Sequence, residues 1–223
     1  MPLSRYRFRW GLSGFFEFPT ENARRILPRG LEPLELHHGS SVFSLTAFDF
    51  TDSEVGPYSE VVFGVIVPPL LGEEGRLAKS AFYPWQLATT TRAAREHAMN
   101  RWHLPHWPEN VGIEFTRDAR NLVVRVKAEG SPTAELTITE HSWQPASHLY
   151  QCFMQDDSGA YLTHITMEGE YSEHEEESGR MRLYDHPFNK DILLSEVYET
   201  PFREVWYRDG VQSFEPLVSR SAA

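Results

Sequence analysis

Residues 5–10, RYRFRW, alternate strictly between basic and aromatic side chains. Successive side chains of an extended chain point to opposite faces, so the segment predicts a strand with Tyr6, Phe8 and Trp10 on one face and Arg5, Arg7 and Arg9 on the other. Segments 41–50, 58–67, 121–130, 134–140, 148–154 and 160–171 have the length and the β-branched or aromatic content of further strands. Turn chemistry separates them, as in DDSG before Ala160 and EGSP at 129–132. Helical signals are few. Residues 20–27 have Thr20 as N-cap, Glu21 in the first turn and a stop at Pro28. Residues 86–100 follow Pro84 and carry strong helix formers in their second half, and 186–197 hold a turn or two. Roughly ten strands with two or three helices predict a β-rich α+β fold, closed into a barrel or packed as antiparallel sheets. With no repeat and no linker, residues 1–223 read as a single domain. The acidic run SEHEEES at 172–178 reads as a solvated hairpin loop.

Composition narrows the function classes. The chain of 223 residues carries 21 basic and 32 acidic side chains, a net charge of −11. That balance argues against a nucleic-acid partner, which requires a clustered basic face. No stretch has the roughly 18 apolar residues of a membrane span, and the N-terminus lacks the apolar core of a signal peptide, so a cytoplasmic protein is expected. The single cysteine, Cys152, lies in an apolar strand and reads as a buried, inert thiol. Only three of the basic residues are lysines: Lys79, Lys127 and Lys190. No Gly-rich phosphate loop and no dinucleotide fingerprint occurs, and GEEG at 72–75 lacks a strand-to-helix setting, so no cofactor is expected. Two looser histidine groupings, His103 and His106 with Glu109, and His141, His148 and His164, have spacings too irregular to predict a metal.

Four stretches, taken together, resemble the acetoacetate decarboxylase-like superfamily. They are ARRILPRGLEPLEL at 23–36, the Y-x-E element of GPYSEVVFGVIV at 56–67 with Tyr58 and Glu60, RWHLPHWPENVGIEF at 101–115, and RMRLYDHPFNKDI at 180–192. They fall in this order, and the resemblance as a whole runs from about residue 5 to 210. The resemblance implies a cone-shaped β-barrel with packed antiparallel sheets and a few short helices around an apolar pocket. It also implies a homo-oligomer. The family's founding enzyme decarboxylates a β-keto acid through a lysine Schiff base. Here the family's lysine position, which follows a proline, holds His106 and Trp107 after Pro105; a two-residue slip puts Pro108 and Glu109 there instead. Neither alignment supplies a lysine.

The expectation is therefore a divergent member that works without covalent attachment. His106 is expected as general acid/base, Glu60 as its carboxylate partner and Glu109 as the reserve; such groups titrate near neutrality when desolvated. Tyr58, Arg101, His103 and Trp107 are the expected substrate contacts, Arg101 as a carboxylate anchor. The Arg5/Arg7/Arg9 row is either a second clamp or a solvated strand face. The expected activity is a lyase or isomerase of secondary metabolism acting on a small oxo acid or related carbonyl compound. The alternative is a protein that binds a small molecule in the same pocket and catalyses nothing.

Overall fold

The computed structural model describes residues 3–71 and 77–220, so the GEEG segment lies outside the described residues. The chain runs β1 (Ser4–Pro19), α1 (Thr20–Ile26), β2 (Glu35–His37), β3 (Ser40–Asp52), β4 (Tyr58–Val67), β5 (Ser80–Thr89) and α2 (Arg92–Trp102). It continues with β6 (Val111–Asp118), β7 (Asn121–Ala128), β8 (Ser131–Thr139), β9 (Gln144–Asp156), β10 (Gly159–His174), β11 (Arg180–Leu183), β12 (Arg203–Phe214) and β13 (Val218–Arg220). Seven strands close into a barrel in the order β1-β12-β10-β9-β5-β4-β3, with β3 pairing back onto β1. Every neighbour pair is antiparallel except β5 and β9, which meet in parallel over Ser80–Phe82 and Tyr150–Cys152. A second sheet, β11-β8-β7-β6, packs against the outside of the barrel. This is the β-rich barrel with packed sheets and short helices that the sequence predicts.

Alternation along the strands separates two cores. On β4, Val61, Phe63 and Val65 face outward to meet Leu122, Val124 and Leu136 of the second sheet. Their neighbours Glu60, Val62 and Ile66 face the barrel interior. The interior cluster includes Phe8, Phe48, Cys152, Ile165, Met167 and Tyr207. Each apolar face thus finds a dry partner, which is the dominant stabilising term.

In β1 the predicted face holds for Tyr6 and Phe8, each 2% exposed, but not for Trp10. The register between β1 and β3 shifts on either side of Phe8, so that Phe8 pairs with Phe50 and Trp10 already with Asp49. This bulge at Arg9 adds one residue to β1 and turns Trp10 into the outer core, edge-on to Trp206 at 5.6 Å. From there Ser13 and Phe15 point inward. The arginines stay on the solvated side, Arg9 in an ion pair with Asp49 at 2.5 Å.

The helix expected over 86–100 is shorter. Residues 86–89 finish β5, pairing Leu87 with Val62 and Thr89 with Glu60. Thr91 then caps α2, its side chain accepting from the Ala94 amide at 3.2 Å. The acidic run at 172–178 is only half a loop: β10 continues through His174, with Ser172 and His174 buried. Residues 186–197 hold two 3-10 turns, Pro187–Asn189 and Leu194–Glu196. Among the described residues no helix is long and apolar enough to cross a membrane.

Candidate functional site in the barrel interior

α2 plugs one end of the barrel. Trp102, 3% exposed, donates from Nε1 to the Tyr6 hydroxyl at 2.8 Å and packs on Phe214 with ring centroids 4.7 Å apart. The Tyr6 hydroxyl also pairs with His97 Nε2 at 2.7 Å. Beyond this plug lies a cavity of about 90 Å³. Its wall is mostly apolar, with Phe48, Phe82, Leu104 and Ile165. Ser13, Thr46, Glu60, Tyr150, Cys152 and Gln212 supply polar atoms.

Glu60 is the acid in this space. Strand alternation directs it inward beside Tyr58, and both also line a small chamber beneath α2. Burial pushes the Glu60 carboxyl up to about 8, while a hydrogen bond from Tyr58 pulls it back. Burial likewise raises the Tyr58 phenol well above its ordinary value. The preference expected for Glu60, a pocket rather than a solvated strand end, is the arrangement observed.

His106 stands behind the wall. It bridges to Leu87, and the Trp107 amide donates to the Leu87 carbonyl at 2.7 Å. His106 Nδ1 lies 2.5 Å from the Trp107 carbonyl oxygen, which can only accept, so Nδ1 carries the proton. Nε2 lies 3.0 Å from the Thr89 hydroxyl, whose one proton is shared between Nε2 and the Thr91 carbonyl oxygen at 3.1 Å. Burial lowers His106 to about 4, so the ring is neutral at physiological pH. Thr89, fully buried, is the residue opposite Glu60 on β5.

The other expected residues lie elsewhere. Glu109 is exposed in the connection before β6. Trp107 packs in the outer core against Phe188, centroids 5.4 Å apart, and its Nε1 has no partner. The Arg101 guanidinium lies 5.0 Å from the Trp102 ring centre. His103 ends α2 in a left-handed conformation, 2.6 Å from Asp156 and stacked on Tyr161 at 4.1 Å. None of these four borders the inner cavity. Among the described residues no group of three or more His, Cys, Asp or Glu is placed to hold a metal.

No lysine borders the cavity among the described residues. Lys127 and Lys190 are exposed. Lys79 lines an adjoining pocket of about 170 Å³ at the barrel mouth. There its Nζ donates to Glu173 at 2.8 Å and to the Tyr171 hydroxyl at 2.5 Å. Cys152 is buried on the cavity wall, and burial pushes its thiol up, with the nearby Glu60 charge adding to the shift. The sequence reading did not reach Thr89, Tyr150 or Gln212. Thr89 falls within the helix expected over 86–100, and the sequence pattern predicts no strand at β12, which carries Gln212.

A seven-stranded barrel closed by a parallel β5–β9 seam, plugged by one helix and flanked by a four-stranded sheet, is the acetoacetate decarboxylase-like fold. The chain superposes on a solved acetoacetate decarboxylase with a TM-score of 0.67 and 13% identity, covering 99% of this chain and 90% of that one. The Legionella pneumophila acetoacetate decarboxylase aligns with a TM-score of 0.65 and 16% identity over 98% of this chain and 88% of its own. MppR, an enduracididine biosynthesis enzyme solved with pyruvate, aligns with a TM-score of 0.62 and 13% identity over 99% and 91%. No family model matches the chain, and no curated protein matches its sequence.

Proposed function

We propose that the barrel interior is the active site of a cofactor-free enzyme acting on a small carbonyl compound, with Glu60 as its acid–base group. The observation that carries this reading is a carboxyl inside an apolar cavity, its pKa raised to about 8 by burial. Such a group is divided between acid and base near neutral pH, which is the condition for efficient proton transfer. As carboxylate it takes the proton from the carbon next to a carbonyl, leaving an enolate. As acid it returns the proton to the same carbon or to another, which exchanges the hydrogen or moves the double bond. His106, bonded at both ring nitrogens and neutral, is a positioning residue that acts through Thr89. The ligand class is supported by the neighbours of the fold, which include an acetoacetate decarboxylase and an enzyme solved with pyruvate. A role in secondary metabolism is supported by MppR, an enduracididine biosynthesis enzyme. With no lysine on the cavity wall among the described residues, the proposed chemistry proceeds without a Schiff base.

The test is hydrogen–deuterium exchange at the α-carbon of pyruvate, acetoacetate and pentane-2,4-dione, followed by NMR in D2O. The protein is expected to accelerate exchange of at least one compound over buffer, and Glu60→Gln to slow that exchange by about 10²-fold or more with thermal stability retained. Undiminished exchange in Glu60→Gln would overturn the assignment. Borohydride added to the same mixtures is expected to leave the intact mass unchanged; a substrate-sized adduct would restore the covalent mechanism. Binding without exchange would make the barrel a non-catalytic small-molecule binder.

A further inference from the structure

The wall of the inner cavity carries no cationic side chain. Among the described residues that form it there is no lysine, arginine or histidine, and the titratable groups are Glu60, Tyr150 and Cys152. Burial holds the Tyr150 phenol at about 12 and raises the Cys152 thiol, so neither offers a charge at neutral pH. A carboxylate entering this space gives up its hydration and gains no counter-ion. Burying an unpaired charge costs far more than burying a neutral carbonyl, whose needs one or two donors satisfy.

Two basic groups border the mouth pocket, which shares Ser13, Phe15, Ser80 and Tyr150 with the inner cavity. Both are already engaged. Lys79 holds Glu173 at 2.8 Å. Arg203 holds Glu175 at 2.6 Å and stands 3.7 Å from Glu173. An incoming carboxylate would have to displace a carboxylate of the protein itself.

The cavity offers neutral donors instead. Gln212 is 6% exposed and lines both the inner cavity and the chamber under α2, as Glu60 does. Its Cα partners are Tyr6 on β1 and Met167 on β10, which places it across the barrel from β4. Its side chain makes no hydrogen bond to any described residue, whereas Ser13 and Thr46 on the same wall satisfy each other at 2.9 Å. The Gln212 amide therefore presents both a donor and an acceptor to the cavity, where a carbonyl oxygen can bond to it.

We infer that the inner cavity takes an uncharged carbonyl compound (a ketone, aldehyde or ester) whose oxygen accepts a hydrogen bond from the Gln212 amide, and that it excludes carboxylates. The inference rests on the reading of this cavity as the ligand site and narrows its substrate class from small carbonyl compounds in general to uncharged ones. Gln212 is a binding residue in this scheme, and Glu60 keeps the proton transfer.

Matched pairs test it on the unmodified protein: methyl acetoacetate against acetoacetate, and methyl pyruvate against pyruvate, with binding measured by calorimetry and saturation-transfer NMR. The ester of at least one pair is expected to bind tenfold or more tightly than its acid. Gln212→Met and Gln212→Leu, each checked for an unchanged unfolding temperature, are expected to weaken that ester at least tenfold. Lys79→Met is expected to leave it unchanged. An acid that binds as tightly as its ester, acid binding that disappears in Lys79→Met, or ester binding indifferent to Gln212 would each overturn the inference. So would the absence of binding by all four compounds. Ester binding with no α-carbon exchange would instead remove the proposed catalysis and leave this inference standing.

Discussion

Glu60 on β4 and Thr89 on β5 stand directly opposite each other, and the Thr89 hydroxyl lies 3.0 Å from His106 Nε2. One buried threonine therefore separates a carboxyl whose pKa is raised from an imidazole whose pKa is lowered. Desolvation is the main cause of both shifts, and it favours the neutral form of each group. The proton held by Glu60 and the lone pair held by His106 are consequences of the same dry surroundings.

Glu60 makes stability depend on pH in a defined direction. The folded protein keeps a proton that the unfolded chain releases above about 4.5, so stability falls as pH rises from about 4.5 to about 8. Glu60→Gln removes this slope. Relative to the wild type, the variant should gain up to about 1.4 kcal/mol per pH unit across that window. Urea denaturation of both proteins at pH 5 and pH 8.5 measures the difference, in which the opposite contribution of His106 cancels. Parallel profiles would mean that the carboxyl is ionised throughout.

Thr89→Val keeps the shape of the side chain and removes the donor to His106. Leaving Nε2 of a buried neutral ring unsatisfied should cost about 1–3 kcal/mol, and Thr89→Ser should recover most of it. Equilibrium unfolding of the two variants checks this. A valine variant as stable as the wild type would show that the Thr89–His106 bond contributes nothing.

Gly210→Ala should destabilise by about 1–3 kcal/mol or more. A Cβ at Gly210 would lie 2.4 Å from the Glu168 carbonyl oxygen and 2.4 Å from Phe8 Cζ. The backbone atom cannot yield, and moving Phe8 disturbs the interior core. A thermal melt of the alanine variant is sufficient, and an unchanged midpoint would contradict the packing described here.

Cys152, 3% exposed, should resist an aromatic disulfide reagent in the native state and react fully in denaturant. Its native labelling rate should follow global opening rather than thiol concentration alone. Rapid stoichiometric labelling without denaturant would show that the cavity admits a reagent of that size.

Much of this was legible in one dimension. Residues 58–67 read as a strand with Glu60 among apolar neighbours, and in the barrel Glu60 lies on the opposite face from Val61 and Phe63. The four stretches at 23–36, 56–67, 101–115 and 180–192 indicated the fold only together and in their order. Residues 86–89 misled because Gln86 and Leu87 suit a helix, and only their pairing with β4 makes them a strand. Gln212 was hidden for a related reason. Asp209 and Gly210 have the composition of a turn, yet here they form an irregularity within β12, opposite the register shift at Glu168 and Glu170.

Local chemistry was enough to set the alternation in residues 5–8, the lack of a lysine after Pro105 and the burial of Cys152, since each depends on near neighbours or on residue type. Which expected residues share a cavity was settled by closure of the barrel. His106 and Glu60 are 46 positions apart, and whether they touch depends on β5 lying between them. Trp10 changed sides because one bulged residue inverts every later face of β1, and no local preference records that shift. The charge of the cavity follows from the same closure: the histidines, arginines and lysines of this chain were visible from the start, but only the folded strands keep all of the described ones off its wall.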